Sequence, residues 1–202
     1  CIIRICRVHL AFTCWDRTMK TAVLVAPNRI EIEDRPIPEP GPDELLIRVR
    51  AVGICGSDTH YFAGLRDHEK DTTYPTVLGH EFAGEVAAVG HGVKDVEVGT
   101  RAACAPDLPC GECEWCVNGM GNCCDTNYAI GYQFPGGFAE YCLLNELTVK
   151  YGPITPIPQG LSYDEAALAE PLACCINGLE RANMKPGKSC LLYTSPSPRD
   201  LS

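Results

Sequence analysis

The sequence predicts a β-rich α+β protein, and two patterns along the chain support this class. Up to about residue 160, short segments with partial alternation of apolar and polar side chains are separated by turns rich in glycine and proline. After Pro158 the pattern changes to alanine- and leucine-rich stretches with helical spacing. Many short strands joined by glycine-rich turns are typical of a barrel-like domain, so we expect a β domain followed by helices.

The strands are predicted from residue composition and from the turns that bound them. A proline-rich loop at residues 36–42 and the Pro135-Gly-Gly137 turn are the clearest of these boundaries. The predicted strands are 21–25, 30–33, 44–52, 81–89, 100–105 and 138–144.

Helix signals begin at Ser162, which with Glu165 forms the sequence pattern of a capping box. Pro171 interrupts the helical stretch and is tolerable in the first turn of a second helix, for which residues 172–184 have the right spacing. The turn at Pro186-Gly187 then leads to an apolar strand at 190–192. We therefore expect residues 161–192 to link the β domain to the start of a βαβ domain.

Both ends of the chain differ from the part between them. Residues 1–18 are interpreted as an N-terminal extension or as upstream sequence translated in frame, because Met19 looks like a natural start of the first strand. Residues 193–202 contain two prolines that end any regular element, and we expect a non-native tail there. The predicted organisation is thus 1–18 extension, 19–160 catalytic β domain, 161–192 linking segment and 193–202 tail.

Composition excludes several classes of function. Acidic residues number 26 against 17 basic residues, a formal net charge of −9, which provides no basic surface for nucleic acid or anionic membrane. No apolar run approaches the roughly 18–20 residues of a membrane-spanning helix. The chain's start fits a secretory signal poorly, so we expect a cytoplasmic protein whose 14 cysteines are reduced.

One cluster of cysteines has the spacing of a structural metal site. The segment Cys110-Gly-Glu-Cys113-Glu-Trp-Cys116 is followed by Cys124, and four soft ligands held close together suit tetrahedral zinc. Disulfides fit badly, because residues three apart in a tight loop make poor disulfide geometry and three in a row leave one thiol unpaired. An iron–sulfur site is a further alternative. Spacing does not distinguish Cys124 from the adjacent Cys123 as the fourth ligand.

A second constellation combines different donors. Cys55 and His80 offer one thiolate and one imidazole, and Glu81 and Glu170 offer carboxylates. A catalytic zinc takes about three protein ligands and keeps one position open for water or substrate. Taken singly, each of these residues is as readily explained by a structural role, such as a buried core cysteine or a turn.

In this order, four motifs resemble the zinc-dependent medium-chain alcohol and polyol dehydrogenases. They are Gly53-Ile-Cys-Gly-Ser-Asp58, Gly79-His-Glu-Phe-Ala-Gly-Glu-Val86, the four-cysteine segment and Glu170-Pro-Leu172. The sorbitol (L-iditol) dehydrogenase branch is the most similar, because Glu170-Pro-Leu stands where classical alcohol dehydrogenases have a second cysteine ligand. The resemblance implies a GroES-like β-barrel catalytic domain with a zinc-binding lobe, followed by a Rossmann domain.

The resemblance also implies roles for individual residues. Cys55, His80 and Glu81 would bind a catalytic zinc, and Glu170 would bind it directly or hold its water. Ser57 would hydrogen-bond the substrate hydroxyl, His60 would end a proton relay at the solvent, and Asp58 would orient His80. The implied reaction is oxidation of a secondary alcohol of a polyol or sugar derivative, with hydride transfer to NAD or NADP.

The nucleotide-binding fingerprint of this family is missing from the sequence. No GxGxxG follows residues 190–192, so we assign no cofactor-binding residue and expect a fragment that is inactive alone, with two zinc ions and a homo-oligomer in the full-length protein. A threonine or simple alcohol dehydrogenase of the same family is an alternative. A non-catalytic, zinc-stabilised binding module is an alternative from another class.

Overall fold

The computed structural model describes residues 2–4, 18–65, 73–152 and 154–189. The chain divides into two compact units, Cys1–Glu170 and Pro171–Ser202, and the first contains every strand of the described ranges. The predicted strand at 190–192, the predicted tail at 193–202 and residues 5–17 of the predicted extension lie outside these ranges. No helix within them is long and apolar enough to cross a membrane.

Within the described residues, short strands outnumber helices, which confirms the predicted β-rich α+β class. The strands are β1 Ile2–Arg4, β2 Thr18–Ala26, β3 Arg29–Pro36, β4 Leu45–Gly53, β5 Phe82–Val89, β6 Arg101–Cys104, β7 Asp107–Leu108, β8 Tyr128–Ala129, β9 Tyr141–Leu144 and β10 Ile154–Pro156. The helices are α1 Gly56–Phe62, α2 Glu114–Val117, α3 Glu146–Tyr151, α4 Tyr163–Ala166 and α5 Ala169–Arg181, with a 3-10 turn at Gly121–Cys123.

The main sheet is antiparallel and is built around β4. Its strand order is β1-β4-β5-β6-β10, and β9 also pairs with β4. Strand β5 follows one edge of β4, while β9 pairs with residues 45–48 and β1 with residues 51–53 of the other edge. Two smaller sheets, β2-β3 and β7-β8, are also present, and isolated bridges join Thr21 to Ala139 and Leu24 to Thr76.

The register of β4 and β5 positions the residues that matter for function. Val52 of β4 pairs with Phe82 of β5, so the end of one strand lies beside the start of the other. Residues just after β4 and residues just before β5 therefore lie close together at the same end of these two paired strands. Cys55 belongs to the first group, and His80 and Glu81 belong to the second.

Strand β4 also forms the centre of the hydrophobic core, because it is buried along nearly its whole length. Apolar residues from β5, β6, β9 and the segment before β9 pack against it. The buried members of this core are Leu45, Ile47, Val49, Val52, Phe82, Val86, Cys104, Leu108, Ile130, Cys142 and Leu144. Burial of apolar surface on this scale is the main stabilising contribution to the domain.

The helical end of the chain follows the capping signals in the sequence. The side chain of Ser162 accepts a hydrogen bond from Glu165 N at 3.2 Å, and Glu165 Oε2 accepts one from Ser162 N at 2.8 Å. Pro171 lies in the first turn of α5, where a backbone N–H has no partner within the helix. The predicted capped helix and second helix are both present, but the second helix covers Ala169–Arg181 rather than residues 172–184.

Candidate metal centres

The four cysteines predicted to bind structural zinc come together in the structure, and we call the segment that carries them, residues 110–124, the cysteine lobe. The Sγ atoms of Cys110, Cys113, Cys116 and Cys124 all lie within 4.8 Å of one another. Helix α2 begins directly after Cys113, and the 3-10 turn ends just before Cys124, so two short helical turns aim the sulfurs inward. Cys123 is exposed and is not part of this group, so the structure selects Cys124 over its neighbour.

The separations between these sulfur atoms suit a tetrahedral zinc ion. Cys113 Sγ lies 3.4 Å from Cys116 Sγ, and Cys110 Sγ lies 3.9 Å from Cys116 Sγ. Four sulfurs at the usual zinc–sulfur distance from a common centre stand about 3.8 Å apart in a tetrahedron. These separations are close to that value, so the four cysteines fit a zinc ion.

Backbone N–H groups of the lobe donate hydrogen bonds to its sulfur atoms. Cys110 N and Asn127 N donate to Cys124 Sγ at 3.3 Å and 3.4 Å, and Cys113 N donates to Cys110 Sγ at 3.3 Å. Hydrogen bonds from the backbone lower the pKa of Cys124 to about 6, and they also lower the pKa of Cys113. Burial raises the pKa of Cys116 to about 12. Since thiolate is the form that binds metal, the lowered values suit a cation site.

A second group of candidate ligands contains Cys55, His80 and Glu81, whose donor atoms also lie within 4.8 Å of one another. Its donor atoms are one cysteine sulfur, one imidazole nitrogen and one carboxylate oxygen, and we call it the mixed cluster. Cys55 is the N-cap of α1, with an extended backbone. His80 and Glu81 are buried immediately before β5.

Two glycines make room for the mixed cluster. Gly79 has a φ of 93°, and a Cβ there would come within 2.9 Å of Phe138 N. A side chain at Gly53 would overlap the carboxylate of Glu81, and Gly53 N donates to Glu81 O at 2.7 Å. Glycine is therefore required where the chain turns into His80, and a side chain at Gly53 would displace the Glu81 carboxylate.

Asp58 joins the two segments that carry the mixed cluster. Its carboxylate is buried and accepts hydrogen bonds from Cys55 N at 2.9 Å and from Gly79 N at 3.4 Å. Its Oδ1 also lies 3.5 Å from His80 Nδ1, a buried nitrogen that has no hydrogen-bond partner among the described atoms. One carboxylate thus faces the Cys55 segment, the Gly79 turn and the His80 ring.

The electrostatics of the mixed cluster favour a positive charge. Burial on its own lowers the pKa of His80, but interactions with Asp58 and with Cys55 outweigh it and raise the pKa to about 9. The groups that stabilise a positive imidazole would equally stabilise a cation held between these donors. The donor set of sulfur, nitrogen and oxygen suits zinc.

The other predicted site residues are placed differently. Ser57 Oγ lies 3.5 Å from His80 Nε2, beside the mixed cluster. His60 is exposed on α1, and Glu170 lies in the first turn of α5 and is not a member of either candidate ligand group in the described residues.

Tyr132 is a residue at this site that sequence analysis missed. Its hydroxyl lies 2.7 Å from Ser57 Oγ, and its ring lies 5.1 Å from the His80 ring. Burial raises the pKa of Tyr132 to about 12. It follows β8 in a loop with no periodic signal, and only the fold brings it to Ser57.

Comparison with known proteins identifies the family. Residues 41–154, more than half of the chain and including both metal-ligand groups, match the family model of the alcohol dehydrogenase GroES-like domain. The chain belongs to this family. The predicted GroES-like fold and the predicted membership of the zinc-dependent medium-chain alcohol and polyol dehydrogenase family are confirmed.

Relatives of this GroES-like chain include polyol dehydrogenases. Sorbitol dehydrogenase of Bacillus subtilis (strain 168) is 41% identical over 174 residues, 86% of this chain and 48% of that protein. D-arabitol-phosphate dehydrogenase of Enterococcus avium is 37% identical over 186 residues, 91% of this chain and 51% of that protein. The chain spans about half the length of the curated relatives it matches.

Solved structures agree with this assignment. A protein of Sinorhizobium meliloti 1021, described as a zinc-binding dehydrogenase and bound to NADP, matches with a TM-score of 0.72 and 40% identity. The match covers 81% of this chain and 45% of that one.

Proposed function

We propose that this chain carries the catalytic zinc site of an NAD(P)-dependent dehydrogenase that oxidises a secondary alcohol of a polyol or sugar derivative. The observation that carries this proposal is the mixed cluster of Cys55, His80 and Glu81, with Ser57 beside it. Three protein ligands are typical of a catalytic zinc, which keeps one coordination position open. Two relatives are named as dehydrogenases of sorbitol and of D-arabitol phosphate, and these names support a polyol as the substrate class.

Each residue of the site has a proposed task. When bound, zinc supplies Lewis-acid stabilisation of the alcohol oxygen, and a nicotinamide accepts the hydride. Ser57 hydrogen-bonds the substrate hydroxyl and takes part in removing its proton. Asp58 holds His80 in the orientation that binds metal, and exposed His60 is where the proton reaches solvent. Glu170 is proposed as a further ligand or as the group that holds the zinc-bound water.

We propose a second, structural zinc ion in the cysteine lobe, held by Cys110, Cys113, Cys116 and Cys124. Four thiolates fill a tetrahedral coordination sphere and leave no position for substrate. The protein would then hold two zinc ions per chain with different tasks.

The proposal is tested by metal content. Purified protein should contain about two zinc ions per chain, because each ligand group is complete for one ion. Cys55→Ala should reduce this to about one, since it removes a ligand from the mixed cluster alone. Cys123→Ala, the matched control at a cysteine outside both groups, should leave the content unchanged.

A single zinc ion that is insensitive to Cys55→Ala would contradict the catalytic assignment and favour a zinc-stabilised binding module. Oxidation rates of a full-length version with sorbitol, threonine and ethanol, each with NAD and with NADP, then separate the polyol proposal from the other activities considered within the family.

A further inference from the structure

Tyr132 contacts the site through both its hydroxyl and its ring, yet none of the tasks proposed above uses it. Its hydroxyl lies 2.7 Å from Ser57 Oγ, a normal length for a strong O–H···O hydrogen bond. The centroid of its ring lies 5.1 Å from that of the His80 ring and 5.0 Å from that of the Tyr61 ring. Two packed neighbours hold the ring in place, and so they hold its hydroxyl as well.

In the described residues, two side chains are candidate hydrogen-bond partners of the Ser57 hydroxyl, His80 and Tyr132. His80 Nε2 lies 3.5 Å away, beyond the usual range for an O–H···N hydrogen bond. If that nitrogen binds metal, its lone pair is used and it no longer accepts a proton from serine. Among the described residues, Tyr132 then provides the hydrogen-bond partner of Ser57 Oγ.

A serine hydroxyl rotates freely unless a partner fixes its direction, because it carries one proton and two lone pairs. If the phenol of Tyr132 donates, Ser57 keeps its own proton for the substrate oxygen. If Ser57 donates to the phenol oxygen, a Ser57 lone pair is left to accept the proton of the alcohol. Either arrangement gives Ser57 one defined direction toward substrate.

We propose that Tyr132 is a positioning residue of the alcohol site, whose phenol fixes the direction of the Ser57 hydroxyl while its ring supports the His80 imidazole. This inference rests on the proposed function. It assigns no proton-accepting step to Tyr132, which acts on substrate only through Ser57.

Cobalt(II) provides a test that needs no turnover. The protein is loaded with cobalt, and its visible spectrum minus that of Cys55→Ala isolates the metal in the mixed cluster. Titration with 2,2,2-trifluoroethanol, an alcohol that resists oxidation, then gives an apparent Kd from the shift of the cobalt bands. The variants are Tyr132→Phe, Ser57→Ala and the double substitution, and Tyr128→Phe is the control, because the Tyr128 ring packs on Phe134 rather than on His80.

Tyr132→Phe keeps the ring and removes only the hydroxyl, so we expect folded protein with an alcohol Kd about fivefold weaker, the effect of one hydrogen bond. Ser57→Ala should weaken binding at least as much. The double variant should bind no more weakly than Ser57→Ala, since Tyr132 acts through that hydroxyl. Tyr128→Phe should match the wild-type protein.

Two results would overturn the inference alone: an unchanged Kd in Tyr132→Phe, or an equal further loss when Tyr132→Phe is added to Ser57→Ala. A purely structural role of the tyrosine predicts the second of these. If trifluoroethanol does not alter the cobalt bands of the wild-type protein, the proposed function fails, and the role of Tyr132 fails with it.

Discussion

At the scale of single residues, the mixed cluster depends on groups that are not themselves ligands. Asp58 accepts hydrogen bonds from Cys55 N and Gly79 N and faces His80, so one buried carboxylate joins two segments that are distant in sequence. Gly79 turns the chain with a positive φ directly before His80. The geometry of the ligands is therefore set by their neighbours as much as by their own identity.

Replacing Gly79 by alanine should disrupt this turn. Gly99 is a matched control, because it has a φ of 90° but open space around an added Cβ, whereas an added Cβ at Gly79 approaches Phe138 N to 2.9 Å. Gly99→Ala should lower the free energy of unfolding by about 1–2 kcal/mol, the cost of left-handed backbone. Gly79→Ala should lower it by about 3 kcal/mol or more, because steric overlap is added. Urea unfolding measures both, and equal losses would show that the contact with Phe138 is unimportant.

The ligand residues could be predicted from the sequence, while some of their partners could not. Cys55, His80 and Glu81 lie in short motifs whose order resembles a known family, and the structure brings their donor atoms together. Tyr132 reaches Ser57 across 75 positions of sequence, from a loop with no periodicity to predict its direction. Long-range contacts of this kind depend on the packing of the whole domain.

At the scale of secondary structure, the antiparallel pairing of β4 and β5 explains why the mixed cluster forms. The strands themselves were predictable, because β-branched and apolar residues between glycine-rich turns mark both of them. The register between β4 and β5 could not be predicted, because the sequence does not show which strands pair. The short helices α1 and α3 and the two-residue strands β7 and β8 were also missed, because segments of this length carry too few residues for a periodic signal.

The cysteine lobe is an element whose stability should depend on metal. It consists of a loop, a single helical turn and a 3-10 turn, with little apolar burial of its own. Cys113→Ser should remove about one zinc ion per chain and lower the folded yield, because structural zinc contributes folding free energy directly. The control Cys123→Ser changes an exposed thiol outside the group and should change neither quantity. Zinc analysis together with thermal unfolding makes the comparison, and equal effects of the two substitutions would contradict the ligand assignment.

At the scale of the whole molecule, the high cysteine content has more than one origin. Of the 14 cysteines, ten lie in the described ranges, and five of these ten belong to the two candidate metal groups. Cys104 and Cys142 are buried in the main core, where burial raises the pKa of both thiols, that of Cys142 to about 12. These two therefore pack as small apolar residues rather than as ligands.

Both metal groups lie in the unit Cys1–Glu170 and within the range that matches the GroES-like family. The two groups differ in their donors, since one is all sulfur and the other combines sulfur, nitrogen and oxygen. Because of this difference we propose separate roles for the two ions, in which one stabilises the fold and the other binds alcohol.

Zinc K-edge X-ray absorption tests most directly whether the chain holds one all-sulfur and one mixed zinc site, because it reports the average ligand shell of all bound zinc. Wild-type protein should show a mixed shell, with about two to three sulfurs per zinc at about 2.3 Å and the remaining ligands as nitrogen or oxygen at about 2.0–2.1 Å. In Cys55→Ala, where only the lobe should retain zinc, the shell should change to about four sulfurs. An all-sulfur shell in the wild-type protein, unchanged by Cys55→Ala, would contradict the mixed zinc site on which the proposed function rests.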